Sequence, residues 1–228
     1  MALSIFKNRY SSADAKFISD KAFYAVVAAT LLFGFAVNAL EVILLGDIIS
    51  QWVYGGGNYL IFVICYFVMA IAGVCINSFS RKPLLSFIGY CLVVLPIGAV
   101  LALVVPYQSL GVVRSAFLVT TILAVVFGLL AVLYPRFFYS VWKILSLSLL
   151  IALIWSLIAM FTGACFTSGY VWLDWLVVLI FCCYIGFDIS LAKSRPKTLD
   201  NAVDSACGLY LDIINLFIRL LAIFGRND

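Results

Sequence analysis

The sequence predicts an all-α integral membrane protein of seven transmembrane helices, with a central C-terminal helix wrapped by the other six. Three observations predict it. The 228-residue chain is 66% hydrophobic and only 11% charged, more apolar than a soluble domain requires. Its apolar residues gather into seven runs, each close to the ~20 residues that a spanning helix needs. The last run carries a polar stripe, which must face protein or water rather than lipid and so belongs at the centre of the bundle.

The runs cover residues 22–46, 59–77, 84–105, 112–133, 138–161, 170–192 and 202–224. They are continuous rather than alternating, so helices and not barrel strands satisfy the backbone in lipid. Residues 1–21 are polar and of mixed charge, and are expected as a cytoplasmic N-terminal segment ahead of a single transmembrane domain over 22–225. The first run is too long for a signal-peptide core and ends without a small-residue cleavage site, so it is expected to stay as a membrane helix. It carries Asn38 and, one turn later, Glu41 near its outer end, with Asp47 in the loop beyond. Gly55-Gly56-Gly57 reads as a flexible outer turn. It lacks the preceding strand and the Lys-Ser or Lys-Thr of a phosphate cradle. The second run has no acid and ends at Ser80-Arg81-Lys82. Pro96 is expected to kink the third helix, and Pro135 marks the boundary before the fifth. Trp52, Tyr54, Tyr107, Tyr170, Trp172 and Trp175 fit an aromatic belt at the outer interface, where Asp174 is expected to be solvated. Asp188 lies in the inner quarter of the sixth run, and a basic loop over 194–199 leads to the seventh, which holds Asp204, Asp212, Asn215 and Arg219.

Charge sets the orientation. With the N-terminus inside, the inner segments hold eleven basic residues (Lys7, Arg9, Lys16, Lys21, Arg81, Lys82, Arg136, Lys143, Lys193, Arg195 and Lys197), against Arg114, Arg219 and Arg226 elsewhere. That bias predicts a multi-pass protein of the cell membrane with a cytoplasmic N-terminus, or of an organellar membrane such as the endoplasmic reticulum in a eukaryotic cell. Seven full spans put the C-terminus outside; a re-entrant last segment would return it. The net charge of +4 is spread over loops and forms no basic, aromatic-interleaved stripe, so nucleic acid is not an expected partner. The seven cysteines lack a CxxC pair and lie mostly inside apolar runs, where they read as small apolar fillers. There is no histidine, so any proton response near neutrality falls on carboxyl groups.

An ionisable residue inside a span is costly and is by default a functional candidate. Asp212, Asn215 and Arg219 are spaced i, i+3, i+7 and share one face. Asp188 and Asp212 are 24 residues apart across one turn, which brings them to comparable depths if their helices are neighbours. Two close carboxylates in a dry site share a proton rather than both ionise. Deprotonated, they offer hard oxygens to Ca²⁺, with Asn215, backbone carbonyls or water completing the shell. Plainer readings compete. Asp188 reads equally as an interfacial residue, Asp212 as a buried partner of Arg81 or Lys82, Glu41 as a solvated helix-end acid, and Arg219 as a snorkelling cation.

Tyr184-Ile185-Gly186-Phe187-Asp188-Ile189, the basic loop, Gly208-Leu209-Tyr210-Leu211-Asp212-Ile213-Ile214-Asn215-Leu216-Phe217 and then Leu220-Leu221-Ala222-Ile223-Phe224-Gly225 resemble the Bax inhibitor (transmembrane Bax inhibitor motif) family. The resemblance is strong over residues 180–225 and weaker over the whole chain. It implies a central last helix and a pH-sensitive calcium leak of the bacterial type. The resemblance makes Asp188 and Asp212 the gating, pH-sensing pair and the Ca²⁺ ligands. A basic residue late in helix two, Arg81 or Lys82, is implied as their latch. The second run lacks the acid that family members often carry there, which leaves Glu41, Asn215, Arg219 and Asp204 as pore-lining or cation-coordinating candidates. Phe187 stands where the family usually has Tyr, and Ile189-Ser190 replace its polar pair. The expected partners are the bilayer, calcium ions and protons. The protein is expected to be a monomer with no cofactor, calcium being only the transported or transiently bound ion, and not to be an enzyme. An intramembrane aspartyl protease would show Gly-x-Gly-Asp and a later Pro-Ala-Leu, which this chain lacks, and a retinal protein would need a lysine in its last helix. A non-transporting membrane protein that modulates a protease, chaperone or cell-death regulator stays as the alternative.

Overall fold

The computed structural model describes residues 16–162 and 171–226, with backbone alone for 152–162 and 171–173. Cys165 and Tyr170, Lys7 and Arg9, and most of the N-terminal segment lie outside the described residues. The described residues form seven α-helices: α1 (Asp20–Ser50), α2 (Tyr59–Phe79), α3 (Pro83–Val104), α4 (Leu110–Leu133), α5 (Pro135–Thr162), α6 (Val171–Ser194) and α7 (Leu199–Phe224). A π-helical turn, Gln51–Gly55, extends α1, and a short 3₁₀ turn, Val105–Tyr107, extends α3. Among the described residues, six helical stretches are long and apolar enough to cross a membrane. The seventh helix, α5, has 28 residues, but its side chains are described only as far as Ile151.

Each helix matches one apolar run, but several begin earlier, because the residues that start a helix are polar or proline. Ser19 caps α1 by accepting from the Ala22 amide at 3.2 Å, and Ser109 caps α4 by accepting from Val112 at 3.4 Å. Thr198 Oγ1 accepts from Asn201 at 3.2 Å at the start of α7. Such side chains satisfy amides that the first turn leaves open. Pro83 and Pro135 occupy the first positions of α3 and α5, where the missing N–H costs nothing. The largest change is in α1. Nothing after Gly46 breaks the helix before Gly55-Gly56-Gly57, so Asp47 lies within α1 rather than in a loop, and Glu41 is nine residues from the end of α1 rather than close to it. Helix α7 is unbroken over 26 residues, about 39 Å at ~1.5 Å per residue, so it shows no re-entrant break.

The chain divides into two compact units. One holds α1–α3, the α6–α7 connection and α7 as far as Tyr210; the other holds α4–α6 up to Lys193 and α7 from Leu211. In the first unit α3 packs against both α1 and α2. The α2–α3 crossing is made by glycines. A Cβ on Gly73 would stand 2.7 Å from the Gly89 carbonyl oxygen, and one on Gly89 2.7 Å from the Asn77 amide nitrogen. In lipid there is little hydrophobic force between helices, and such close backbone approach supplies the packing. Phe17 pairs with Thr198 in an isolated antiparallel bridge, and the Ile18 amide donates to the Lys197 carbonyl at 2.9 Å. The Lys197 ammonium lies 4.5 Å from the Phe23 ring centre. Partial burial pulls its pKa below the ordinary value, and Asp20 opposes that shift.

In the second unit α4 and α5 adjoin, and Phe138 of α5 packs its ring into the space that the missing side chain of Gly186 leaves on α6. The exposed large hydrophobic residues concentrate on α1, α2, α4 and α5, as lipid-facing helices require. Along α7, by contrast, only Leu199 and Ala222 are exposed.

The glycine crossing makes a direct prediction. Gly89→Val forces side-chain atoms into α2 backbone and should cost about 1–3 kcal/mol, the usual range for overpacking. Thermal melting in detergent checks it: the midpoint should fall well below wild type, and an unchanged midpoint would refute the close crossing.

Candidate functional site

In the second unit, residues 186–190 of α6 are held from two sides. The Ser190 hydroxyl donates to the Gly186 carbonyl at 2.9 Å, and Tyr139 of α5 donates to the Ser190 carbonyl. The Tyr139 ring meets Phe187 edge-on at 6.1 Å. From α4, Gly128 leaves room for Ile189, whose Cδ1 would lie 3.1 Å from a Cβ there. These contacts fix the turn that carries Asp188.

Asp188 is half-buried and Asp212 of α7 is buried. The two carboxylates are close enough for their charges to act on one another, and the Tyr184 hydroxyl lies in the field of both. Tyr184 also reaches Ser146 of α5 at 3.5 Å. Asp212 Oδ2 is fully enclosed and has no hydrogen-bond partner among the described residues. A carboxylate oxygen in that condition bears the full cost of desolvation unless a proton or a cation meets it. The pair supplies two carboxylates, and the described residues contain no cluster of three or more His, Cys, Asp or Glu side chains suited to a metal. Asn215, backbone oxygens or water would therefore have to complete any Ca²⁺ shell.

The rest of the α7 stripe is occupied differently. The Asn215 amide donates to the Leu211 carbonyl at 2.7 Å, one turn back along its own helix. Arg219 pairs with Asp174 of α6 at 3.1 Å, and Arg226 donates to the other oxygen of the same carboxylate. Asp174 is thus buried and doubly paired, not solvated as its place near a helix end suggested. Its partners lie 45 and 52 residues away in sequence, and nothing in local composition announces them.

Four expected site residues fall in the first unit. Arg81 and Lys82 are exposed in the α2–α3 turn, where the Lys82 amide donates to Ser80 Oγ at 3.1 Å. Asp204 is half-buried one turn after Asp200, within the field of Asp200 and Arg195. Asp200 accepts from Ser86 at 2.6 Å, while Asp204 Oδ1 has no hydrogen-bond partner among the described residues. Glu41 is also in this unit. It is buried beside Asn38 rather than solvated, in a place opened by Gly98.

Tyr210 is the residue that sequence reasoning missed. It is fully buried, accepts from Asn38 Nδ2 at 2.6 Å and meets Tyr90 edge-on at 5.5 Å. The available signal was a tyrosine hydroxyl in an apolar run, which needs a polar partner, together with the lone buried amide on the first helix.

The profile of the family described as "Inhibitor of apoptosis-promoting Bax1" matches residues 15–228. An uncharacterized protein of Helicobacter pylori (strain J99) is 31% identical over 154 residues, which cover 66% of this chain and 61% of that protein. An uncharacterized membrane protein of Streptococcus pyogenes serotype M3 is 33% identical over 137 residues, covering 58% of this chain and 59% of the relative. The matches thus span less than two thirds of the length of these curated relatives. With the apolar helices, they make the chain a multi-pass membrane protein.

The Asp174 clasp is testable apart from any activity. Asp174→Asn leaves two guanidinium groups short of a charge-assisted acceptor and should cost about 2 kcal/mol. Arg219→Lys should recover less than a conservative change would suggest, because Lys lacks the planar fork. Melting curves of the two variants check both, and a wild-type midpoint for Asp174→Asn would remove the clasp from the stability account.

Proposed function

The chain belongs to the Bax inhibitor family, and on that footing we propose that it is a pH-sensitive leak for calcium, or for cations more broadly, gated by the Asp188–Asp212 pair. One observation carries the reading: Asp212 buries a carboxylate oxygen without a hydrogen-bond partner among the described residues, inside a spanning helix and within electrostatic reach of a second carboxylate. Such a pair has two states. With one proton between them, the carboxyls hold together and the path along α7 is shut. With the proton gone, two negative charges repel in a low-dielectric surround, the pair parts, and its oxygens attract a cation. Proton release precedes cation entry, so flux rises with pH. The basic residues favour a cytoplasmic N-terminus in a cell membrane, which would set Asp188 and the N-terminal end of α7 toward the cytoplasm. Calcium is cargo in this scheme, which fits a site of two carboxylates too sparse for tight binding.

Reconstituted liposomes test it. Calcium entry at two pH values should be several-fold greater at the higher pH for wild type, and independent of pH for Asp188→Asn and Asp212→Asn. Asparagine keeps the shape of aspartate and removes the titration, so variants with unchanged flux and unchanged pH dependence would overturn the gate. No flux at either pH, with a protein partner co-purifying in stoichiometric amount, would instead favour a non-transporting interaction protein.

A further inference from the structure

Glu41 is a buried acid that the aspartate pair does not use and that no ion pair among the described residues engages. Its Oε2 and the Oδ1 of Asn38 are both enclosed and both without a hydrogen-bond partner there. The two atoms converge on one small space. A Cβ on Gly98 of α3 would lie 2.8 Å from Asn38 Oδ1 and would collide with Glu41 Oε2. Glycine at position 98 is what makes that space. Asn38 and Glu41 are one turn apart on α1 and share a face. The Asn38 Nδ2 already donates to Tyr210 at 2.6 Å, which leaves Oδ1 as the amide's free atom.

We propose that Glu41 and Asn38 form a proton-binding site, in which Glu41 is held as the neutral carboxylic acid and its O–H donates to Asn38 Oδ1. A single proton on Glu41 Oε2 satisfies both orphaned oxygens at once. Turning the amide over would let Nδ2 serve Glu41 and Tyr210 donate to Oδ1. That arrangement buries a full negative charge in a spanning helix with one neutral donor and no cation, far the costlier state. Among the described residues, Tyr210 of α7 lies in the field of Glu41, and the titratable groups acting on Tyr210 and its neighbour Tyr90 are Cys207 of α7, Cys91 of α3 and Tyr66 of α2. None of them is basic, so none could balance an ionised Glu41. The acid completes a chain from Glu41 through Asn38 to Tyr210, joining α1 to α7 in the first unit. The site is independent of the calcium-leak reading.

Infrared spectroscopy of the protein in lipid at neutral pH tests it without any flux measurement. A protonated-carboxyl C=O band should be present, should vanish in Glu41→Gln, should shift in Asn38→Leu, and should persist in Asp188→Asn and Asp212→Asn. Glu41→Gln, which mimics the neutral acid, should also melt close to wild type. A spectrum in which Glu41→Gln removes only a carboxylate band would overturn the proposal. So would an acid band that calcium or sodium abolishes at constant pH, which would mark a cation site, or a melting point several degrees lower for Glu41→Gln.

Discussion

A polar atom on a helix packed among apolar side chains has no water to turn to, so each one on α7 must be settled by another part of the protein. Most are. Asn201 donates to the Pro196 carbonyl, Ser205 to the Asn201 carbonyl and Asn215 to the Leu211 carbonyl, all local solutions. Asp200, Tyr210 and Arg219 take partners from other helices: Ser86, Asn38 and Asp174. One oxygen each of Asp204 and Asp212 is left over among the described residues. Both belong to carboxyl groups, whose need a proton or a cation can meet and an apolar neighbour cannot. The hydrogen-bond requirement itself thus separates the residues that fasten α7 from those that can change state.

The same requirement explains where glycine is used. At Gly73 and Gly89 the absent side chain lets two backbones meet. At Gly98 it makes room for a carboxyl and an amide oxygen, and at Gly186 for the Phe138 ring, next to the turn that bears Asp188. The first use builds a crossing, and the others set the position of a polar group within a helix pair. In a medium that gives helices little reason to associate, steric fit fixes these positions, and the polar groups inherit their precision from it.

The sequence made the helices legible because length and apolarity alone demand them, and it made Asp188 and Asp212 legible as a candidate pair because only one short turn separates their helices. Helix starts were harder to read. Ser19, Ser109, Thr198, Pro83 and Pro135 are polar or helix-breaking in an apolar reading, yet each begins a helix. Glu41 was misplaced for a related reason: apolarity wanes after Gly46, but no residue stops the helix until the glycines at 55–57. The partners of Asp174, and the 172-residue separation of Asn38 from Tyr210, depend on the register of helices against one another. Hydrophobic patterning constrains that register too weakly to be read from one chain.

Buried acids in one protein need not share a purpose, and their partners tell them apart. Asp174 has two guanidinium groups and is satisfied at both oxygens. It behaves as a rivet. Glu41 and Asp212 each hide an oxygen that no described residue serves. Were they present only for stability, a leucine or a glutamine would fill the space without that cost. A residue that breaks a rule the rest of the fold obeys, with no offsetting contact, marks a position where stability has been traded for something else. For a carboxyl group inside a membrane helix, what the residue adds over its uncharged replacements is the ability to bind and release a proton, or to meet a cation once the proton has left.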